Sequence, residues 1–202
     1  KLIMSAVVWA LTAGLSLAGS HSVIRMGTEG AYPPWNYVDD NGEVAGFERE
    51  LGDELCKRAE LKCEWVINDW DSIIPNLVSG NYDTIIAGMS ITDERQEKID
   101  FTSNYTQPDP SSYVAASEGA DLSGGIIAAQ SNTIQAAYIA GTGATLVEFA
   151  TPEETISAVR NGEADAVLAD TSYLNPIVAE DSGLMFAGDK VLIGGGVGMG
   201  IR

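Results

Sequence analysis

The segment Ser90-Ile91-Thr92-Asp93-Glu94-Arg95 combines hydroxyl groups with an arginine where a buried strand is predicted to lead into a helical turn. Backbone N–H groups at a helix start bind anions, and a guanidinium offers a two-pronged hydrogen-bond partner to a carboxylate. The segment therefore fits a carboxylate-binding site. It fits equally a capped turn with Arg95 in solvent, although Ser90 and Asp93 match the capping box only loosely.

Histidine and cysteine, the residues of Ser-His and Cys-His catalysis and of most zinc sites, are scarce. The chain has one histidine, His21, and two cysteines, which excludes Ser-His and Cys-His catalysis and most zinc sites. No G-x-x-x-x-G-K-[ST] phosphate loop is present, and the glycines of 194–200 do not match G-x-G-x-x-G. We therefore expect no metal and no cofactor, while the abundant acidic residues leave a carboxylate-driven enzyme open.

Composition limits the partners further. The 202 residues fit one or two domains, and 45% hydrophobic with 20% charged residues is ordinary for a globular protein. A formal charge of −18 repels phosphate backbones and anionic lipid surfaces. We therefore expect no nucleic acid partner.

Both ends of the sequence carry patterns of their own. Lys1 precedes an uncharged apolar run over 2–18, and Ser16-Leu17-Ala18 places small residues where a signal peptidase cuts. This pattern predicts a secretory signal peptide over 1–18, with a membrane anchor as the alternative. The glycine-rich segment 194–202 is typical of a turn that enters a strand, and we expect the sequence to be a fragment that stops there.

Apolar runs alternate with amphipathic stretches along the chain. The apolar period of four residues over 47–59 predicts a helix, and Asp71 is expected to cap a short helix that ends at Leu77. Strands are predicted at 23–28, 62–67, 83–87, 112–116, 125–129, 144–149 and 164–169, and helices at 133–139, 152–160 and 171–178. Two such series, joined by the polar segment 105–110, predict an α/β fold with mostly parallel sheets.

The two cysteines, Cys56 and Cys63, lie seven positions apart, between the end of a predicted helix and the next strand. Export to an oxidising compartment favours a disulfide between them. Two buried free thiols are the alternative.

A set of short motifs, taken in order, resembles the periplasmic solute-binding proteins of polar amino acid ABC transporters. The similarity is greatest to the lysine/arginine/ornithine- and histidine-binding type, which also carries two cysteines at the places of Cys56 and Cys63. It covers essentially all of the chain after the signal peptide. The motifs are G-T-E-G-A-Y-P-P-W at 27–35, G-F-E-R-E-L at 46–51, D-W-D-S-I-I-P-N-L at 69–77, Y-D-T-I-I at 82–86, S-I-T-D-E-R at 90–95 and D-F-T at 100–102.

The resemblance implies a two-lobed clamshell of type II that closes on its ligand by a hinge motion. Lobe one would span 19–107, lobe two 108–195, and 196–202 would begin the return strand, with the rest of the return segment to lobe one missing. The implied function is a monomeric, exported, periplasmic receptor that is not an enzyme. It would deliver a polar, basic amino acid to an inner-membrane ABC permease.

The resemblance also assigns roles to single residues. Arg95 matches the arginine that clamps the α-carboxylate of the ligand, and Thr133 matches the threonine that shares it. Asp170 matches the aspartate that receives the α-ammonium, with Ser90 near the same group. Since buried charges need partners, such a division is physically reasonable. Simple helix caps remain the alternative for Thr133 and Asp170.

Side-chain specificity would come from three further positions. Glu29 matches an acidic residue that meets the distal cation of a basic ligand, and Tyr32 and Trp70 match aromatic residues that sandwich its stem. A core position for Trp70 and a surface position for Glu29 are the alternatives.

The sequence departs from the family pattern at five positions, which leaves the identity of the ligand undetermined. Arg49 stands at a usually hydrophobic position, Ala87 and Gly88 replace serines, and Ser131-Asn132 replaces Gly-Thr or Gly-Ser.

Two rival functions share the resemblance. Cyclohexadienyl dehydratases, which act on arogenate or prephenate, are similar enzymes that need a carboxylic acid in the cleft as general acid, and Glu29 is the candidate. The ligand-sensing module of a membrane receptor is the second rival.

Overall fold

The computed structural model describes residues 23–202, so the predicted signal peptide lies outside it. The helices are α1 (Phe47–Arg58), α2 (Ile73–Val78), α3 (Asp93–Gln96), α4 (Ile134–Ala140), α5 (Pro152–Arg160) and α6 (Thr171–Glu180). The strands are β1 (Ile24–Thr28), β2 (Ala31–Tyr32), β3 (Asn36–Val38), β4 (Val44–Ala45), β5 (Cys63–Ile67), β6 (Thr84–Ile85), β7 (Asp100–Phe101), β8 (Ser111–Ala115), β9 (Ile126–Gln130), β10 (Thr145–Phe149), β11 (Ala166–Asp170), β12 (Met185–Val191) and β13 (Gly200–Ile201). Across this range no helix combines the length and apolar character that a membrane crossing requires.

Two five-stranded sheets form the centres of two lobes, as an α/β clamshell requires. The first has the order β5-β1-β6-β13-β7 and the second the order β10-β9-β11-β8-β12. In each sheet three neighbouring strands run parallel, while β13 pairs antiparallel with β6 and β7, and β8 pairs antiparallel with β11 and β12. Four of the five strands in each sheet therefore point the same way, which fits the prediction of mostly parallel sheets, and one strand of each, β13 or β8, runs against them. The strand that precedes β8 or β13 in the sequence belongs to the other sheet, so neither strand is reached through a βαβ crossover.

The residues that cap the helices differ in part from those expected from the sequence. Thr151 caps α5 directly before Pro152, as the Thr-Pro pair indicates, and forms a capping box with Glu154. The expectation that Asp71 caps a short helix is wrong, and the loose match of Ser90 and Asp93 to a capping box does not form one. Asp71 lies inside a 3₁₀ helix (Trp70–Ser72) and caps nothing, and α3 is capped by Thr92, not Ser90, through the amide of Arg95.

Separate apolar cores stabilise the lobes. The first lobe buries Leu77, Tyr82, Ile85 and Met89 between its sheet and α2. In the second lobe, one cluster around Val167 and Leu174 packs against α5 and α6, and another around Ile127 and Ile139 packs against α4. Because each lobe has its own core, the two can move as rigid units.

Cys56 and Cys63 form a disulfide, which excludes the alternative of two free thiols. It joins α1 to β5, the strand at the edge of the first sheet. The closed loop is short, so the disulfide restrains this edge locally.

A buried carboxylate ties together distant segments of the first lobe. Glu48, at the start of α1, is fully buried and accepts hydrogen bonds from the Gly88 amide at 2.6 Å, from Asn36 Nδ2 at 2.7 Å and from the Tyr105 hydroxyl. Asn36 in turn accepts the Gly30 amide at 2.7 Å. Burial raises the pKa of Glu48, and the three donors oppose that rise.

Replacing this carboxylate should loosen the first lobe. We expect Glu48→Ala to lower the free energy of unfolding by about 2–4 kcal/mol, because buried donors lose their acceptor. Urea denaturation measures the change. The matched control is Glu50→Ala on the exposed face of α1, expected to stay within about 0.5 kcal/mol; equal effects of the two variants would contradict the structural role of Glu48.

Candidate functional site

A cavity lies between the lobes, where parallel strands of both sheets end. Ligand sites in α/β folds form at such carboxyl ends. All seven residues singled out from the sequence line this one cavity: Glu29, Tyr32, Trp70, Ser90, Arg95, Thr133 and Asp170. The remaining wall is built by Ala87, Gly88, Gln130, Ile134 and Gln135.

Arg95 provides the positive charge of the cavity, and it lies in the interior rather than in solvent. Its side chain donates to the Ser90 carbonyl at 2.8 Å and to the Asn132 carbonyl of the second lobe at 3.2 Å. The guanidinium stands 5.3 Å from the centre of the Trp70 ring, a cation–π contact. Burial lowers the pKa of Arg95 to about 10, so it stays charged at neutral pH.

Asp170 provides a negative charge at the end of β11. It is the N-cap residue of α6, but its side chain makes no capping hydrogen bond. The carboxylate instead accepts from the Tyr32 hydroxyl at 3.0 Å and from Gln135 Nε2 at 2.7 Å. Desolvation raises the pKa of Asp170 to about 7, against the lowering effects of these hydrogen bonds and of Arg95.

Arg95 and Asp170 are close enough to influence each other but do not pair. No ion pair within 4.0 Å joins them in the described part of the chain. Their opposite charges therefore line the same cavity separately, so that a molecule with both charges can contact each.

Glu29 is a second carboxylate of the cavity and follows directly after β1. Its side chain is only 8% exposed, so the alternative of a surface residue is wrong. Gln130 Nε2 of the second lobe donates to it at 2.5 Å. Desolvation, together with smaller contributions from the nearby Asp69 and Asp71, raises the pKa of Glu29 to about 7, while the hydrogen bond from Gln130 opposes the rise.

Thr133 caps α4, which is one of the two roles considered for it. Its hydroxyl oxygen accepts the Ala136 amide at 3.2 Å and donates to the Gln130 carbonyl at 2.6 Å. Thr133 also lines the cavity, so its geometry fits both interpretations. Trp70 likewise belongs to the core of the first lobe and to the cavity wall.

Aromatic residues join the lobes directly around the cavity. Tyr32 stacks on Tyr173 of the second lobe with ring centres 4.3 Å apart, and Trp35 donates to the Ser172 hydroxyl at 2.7 Å. The volume of this cavity is ≈ 30 Å³, which is enough for water and too small for an amino acid in this arrangement of the side chains. A ligand therefore enters only when the lobes separate.

Sequence reasoning missed three residues of the site. Gln130 and Gln135 are buried amides that hydrogen-bond Glu29 and Asp170 respectively, and Tyr173 supports the ring of Tyr32. The glutamines sit beside the motif around Thr133, and Tyr173 lies three residues after Asp170. Proximity to those motifs was the available signal.

Two lobes with separate cores, joined across a charged cleft, define a type II periplasmic binding protein fold. The comparison with known families agrees: residues 24–142 match the model for bacterial extracellular solute-binding proteins, family 3. The chain belongs to this family.

Individual relatives cover nearly the whole chain. The lysine/arginine/ornithine-binding periplasmic protein of Escherichia coli K12 is 33% identical over 221 residues, which is 100% of this chain and 84% of that protein. The octopine-binding periplasmic protein of Rhizobium meliloti is 31% identical over 100% of this chain and 80% of its own length.

One solved structure is much more similar. It is a periplasmic His/Glu/Gln/Arg/opine family-binding protein from Silicibacter pomeroyi in complex with lysine. The two share 78% sequence identity and superpose with a TM-score of 0.88, over 89% of this chain and 83% of that one.

The raised pKa of Glu29 makes stability depend on pH. The folded protein keeps this proton up to about pH 7, whereas the unfolded chain releases it near its ordinary value of 4.5. The stabilisation is complete below that value and is lost as the pH rises through 7. We expect Glu29→Gln, which cannot titrate, to gain about 2 kcal/mol of unfolding free energy relative to wild type between pH 5 and pH 8.

Urea denaturation at both pH values, without added amino acid, measures this gain. A difference between variant and wild type that is the same at pH 5 and pH 8 would show that Glu29 titrates normally.

Proposed function

We propose that this protein is a non-catalytic receptor that binds a basic amino acid between its lobes and delivers it to an ABC permease. The observation that carries the proposal is the set of charges in the cavity. Arg95, Asp170 and Glu29 line it, and no other charged residue of the described chain does so.

The charges of the cavity match those of a basic amino acid. With both carboxylates ionised, the cavity has two negative charges and one positive charge. A lysine, arginine or ornithine ligand supplies one carboxylate and two cations, so that every buried charge gains an opposite partner. A neutral amino acid would leave one carboxylate buried without a cation, which is costly.

Each group of the ligand then has a stated partner. The guanidinium of Arg95 binds the α-carboxylate, with Thr133 beside it, and Asp170 receives the α-ammonium near Ser90. Glu29 meets the distal cation, and Tyr32 and Trp70 hold the apolar stem. The buried amides of Gln130 and Gln135 keep the two carboxylates oriented.

The relatives support the same class of ligand and the same cellular role. Those reported above are periplasmic proteins named for binding basic amino acids or octopine, or solved with lysine. We infer export to the periplasm, a monomeric state and an inner-membrane permease as partner. The lobes of the proposal are 19–107 and 108–195, with 196–202 returning to the first.

A thermal-shift panel tests the proposal on the mature protein. L-Lysine, L-arginine and L-ornithine at 100 times their dissociation constants should add about 2.7 kcal/mol, a rise of roughly 5–10 °C in Tm at this size. Glutamine, glutamate and phenylalanine should shift it little. Arg95→Ala should abolish the response to all ligands, because the carboxylate clamp is lost.

Arogenate and prephenate belong in the same panel. Conversion of prephenate to phenylpyruvate, or of arogenate to phenylalanine, each with loss of water and CO₂, would replace the receptor function by the dehydratase function. A shift with neutral or acidic amino acids alone would keep a receptor but reject Glu29 as the partner of a cation.

Affinity should also depend on pH through both carboxylates. Cationic groups bind Asp170 and Glu29 in their ionised forms, and both pKa values lie at about 7. We expect the Kd for L-arginine, measured by calorimetry, to rise at least tenfold from pH 8 to pH 5.5. Glu29→Gln should weaken arginine binding at pH 8 and flatten this dependence, since only Asp170 still titrates. A pH-independent Kd would contradict the assignment.

A further inference from the structure

An exposed polar cluster joins the lobes beside the cavity. Asp71, in the 3₁₀ helix of the first lobe, accepts two hydrogen bonds on Oδ1 from the second lobe. One comes from the Ser131 hydroxyl at 2.7 Å and the other from Asn132 Nδ2 at 2.9 Å. Ser131-Asn132 is the dipeptide that departs from the family pattern, and Asp71 is the residue wrongly expected to cap a helix. These three residues form what we call the rim cluster.

The backbone of Asn132 connects the rim cluster to the cavity. Asn132 has a left-handed conformation, with φ of 57°, which asparagine tolerates better than most residues. Its carbonyl accepts from Arg95 Nη2 at 3.2 Å and from Trp70 Nε1 at 3.3 Å. The side chain and the carbonyl of one residue therefore hold three groups of the first lobe.

The rim cluster lies beside a wall of side chains that separates the cavity from a neighbouring groove. A groove of ≈ 1100 Å³ opens beside the cavity, and four residues line both spaces: Trp70, Arg95, Thr133 and Ile134. Asp71 and Asn132 line the groove but not the cavity. They are therefore placed to hold the wall closed without touching a molecule inside it.

We propose that the rim cluster is a latch that keeps the closed lobes together and slows ligand release, while ligand recognition is left to the cavity. The proposal rests on the function proposed above. Because the contacts of Asp71 are solvent-exposed, water competes with them and each contributes modestly. The latch can therefore open without a large barrier, as a receptor that must hand over its ligand requires.

Release kinetics on the full chain test the latch. Asp71→Ala removes the acceptor, and Asn132→Gly removes the side-chain donor while glycine keeps the left-handed backbone and its carbonyl. We expect each variant to release L-arginine and L-lysine about three- to tenfold faster in stopped-flow chase experiments, with association rates within about twofold of wild type.

Two further results separate a latch from general damage. The double variant should release ligand no faster than the faster single variant, because the two residues act through the same contact. The ratio of the Kd values for arginine and lysine should not change. Asp69→Ala is the matched control, since Asp69 starts the same 3₁₀ helix without a side-chain cap, and it should release ligand at the wild-type rate.

Wild-type release rates in both single variants, or additive effects in the double variant, would overturn the latch. If no amino acid binds the wild type, the proposed function is rejected. The latch is then tested by a measurement that needs no ligand. Small-angle scattering without amino acid should then give a larger radius of gyration for Asp71→Ala than for wild type and for Asp69→Ala. Equal radii would reject the latch.

Discussion

Charges buried in the cleft must find partners, and this constraint organises the rest of the molecule. Arg95 comes from the first lobe and Asp170 from the second. Arg95 donates hydrogen bonds to neutral carbonyls and Asp170 accepts them from neutral donors, so neither is held by the other. Neutral partners orient a charge without cancelling it, so the charge can still pair with an oppositely charged group of a ligand. A zwitterionic ligand satisfies both charges at once only when the lobes are together. Under the proposed function, ligand binding in this way favours the closed arrangement of the lobes.

The lobes and the contact between them are built differently. Inside the first lobe, Glu48 is fully buried and collects donors from segments that are far apart in sequence. Between the lobes, the bonds of Asp71 to Ser131 and Asn132 are exposed to water. Buried networks resist distortion whereas exposed contacts exchange readily with solvent. The first lobe is therefore rigid inside, where the geometry of the site must be kept, and the contact between the lobes is weak, where motion is required.

Local patterns in the sequence anticipated much of this fold but not its contacts between distant segments. The capping pair at Thr151, the period of α1 and the disulfide follow from neighbouring residues. Other features depend on segments that are distant in the sequence. These are the antiparallel pairing of β8 and β13, the burial of Glu48 and the cross-lobe partners of Asp71. The seven site residues were found together through ordered motifs, while Gln130, Gln135 and Tyr173 act through neighbours that only the folded chain provides.

Two indole groups happen to span the moving boundary. Trp70 donates its N–H to Asn132, and Trp35 donates to Ser172, so each ring is anchored in one lobe and hydrogen-bonded to the other. Indole emission depends on the polarity and hydrogen bonding around the ring. Opening the lobes exchanges both partners for water, so the protein carries its own optical reporter of conformation. It is a natural starting point for a label-free sensor.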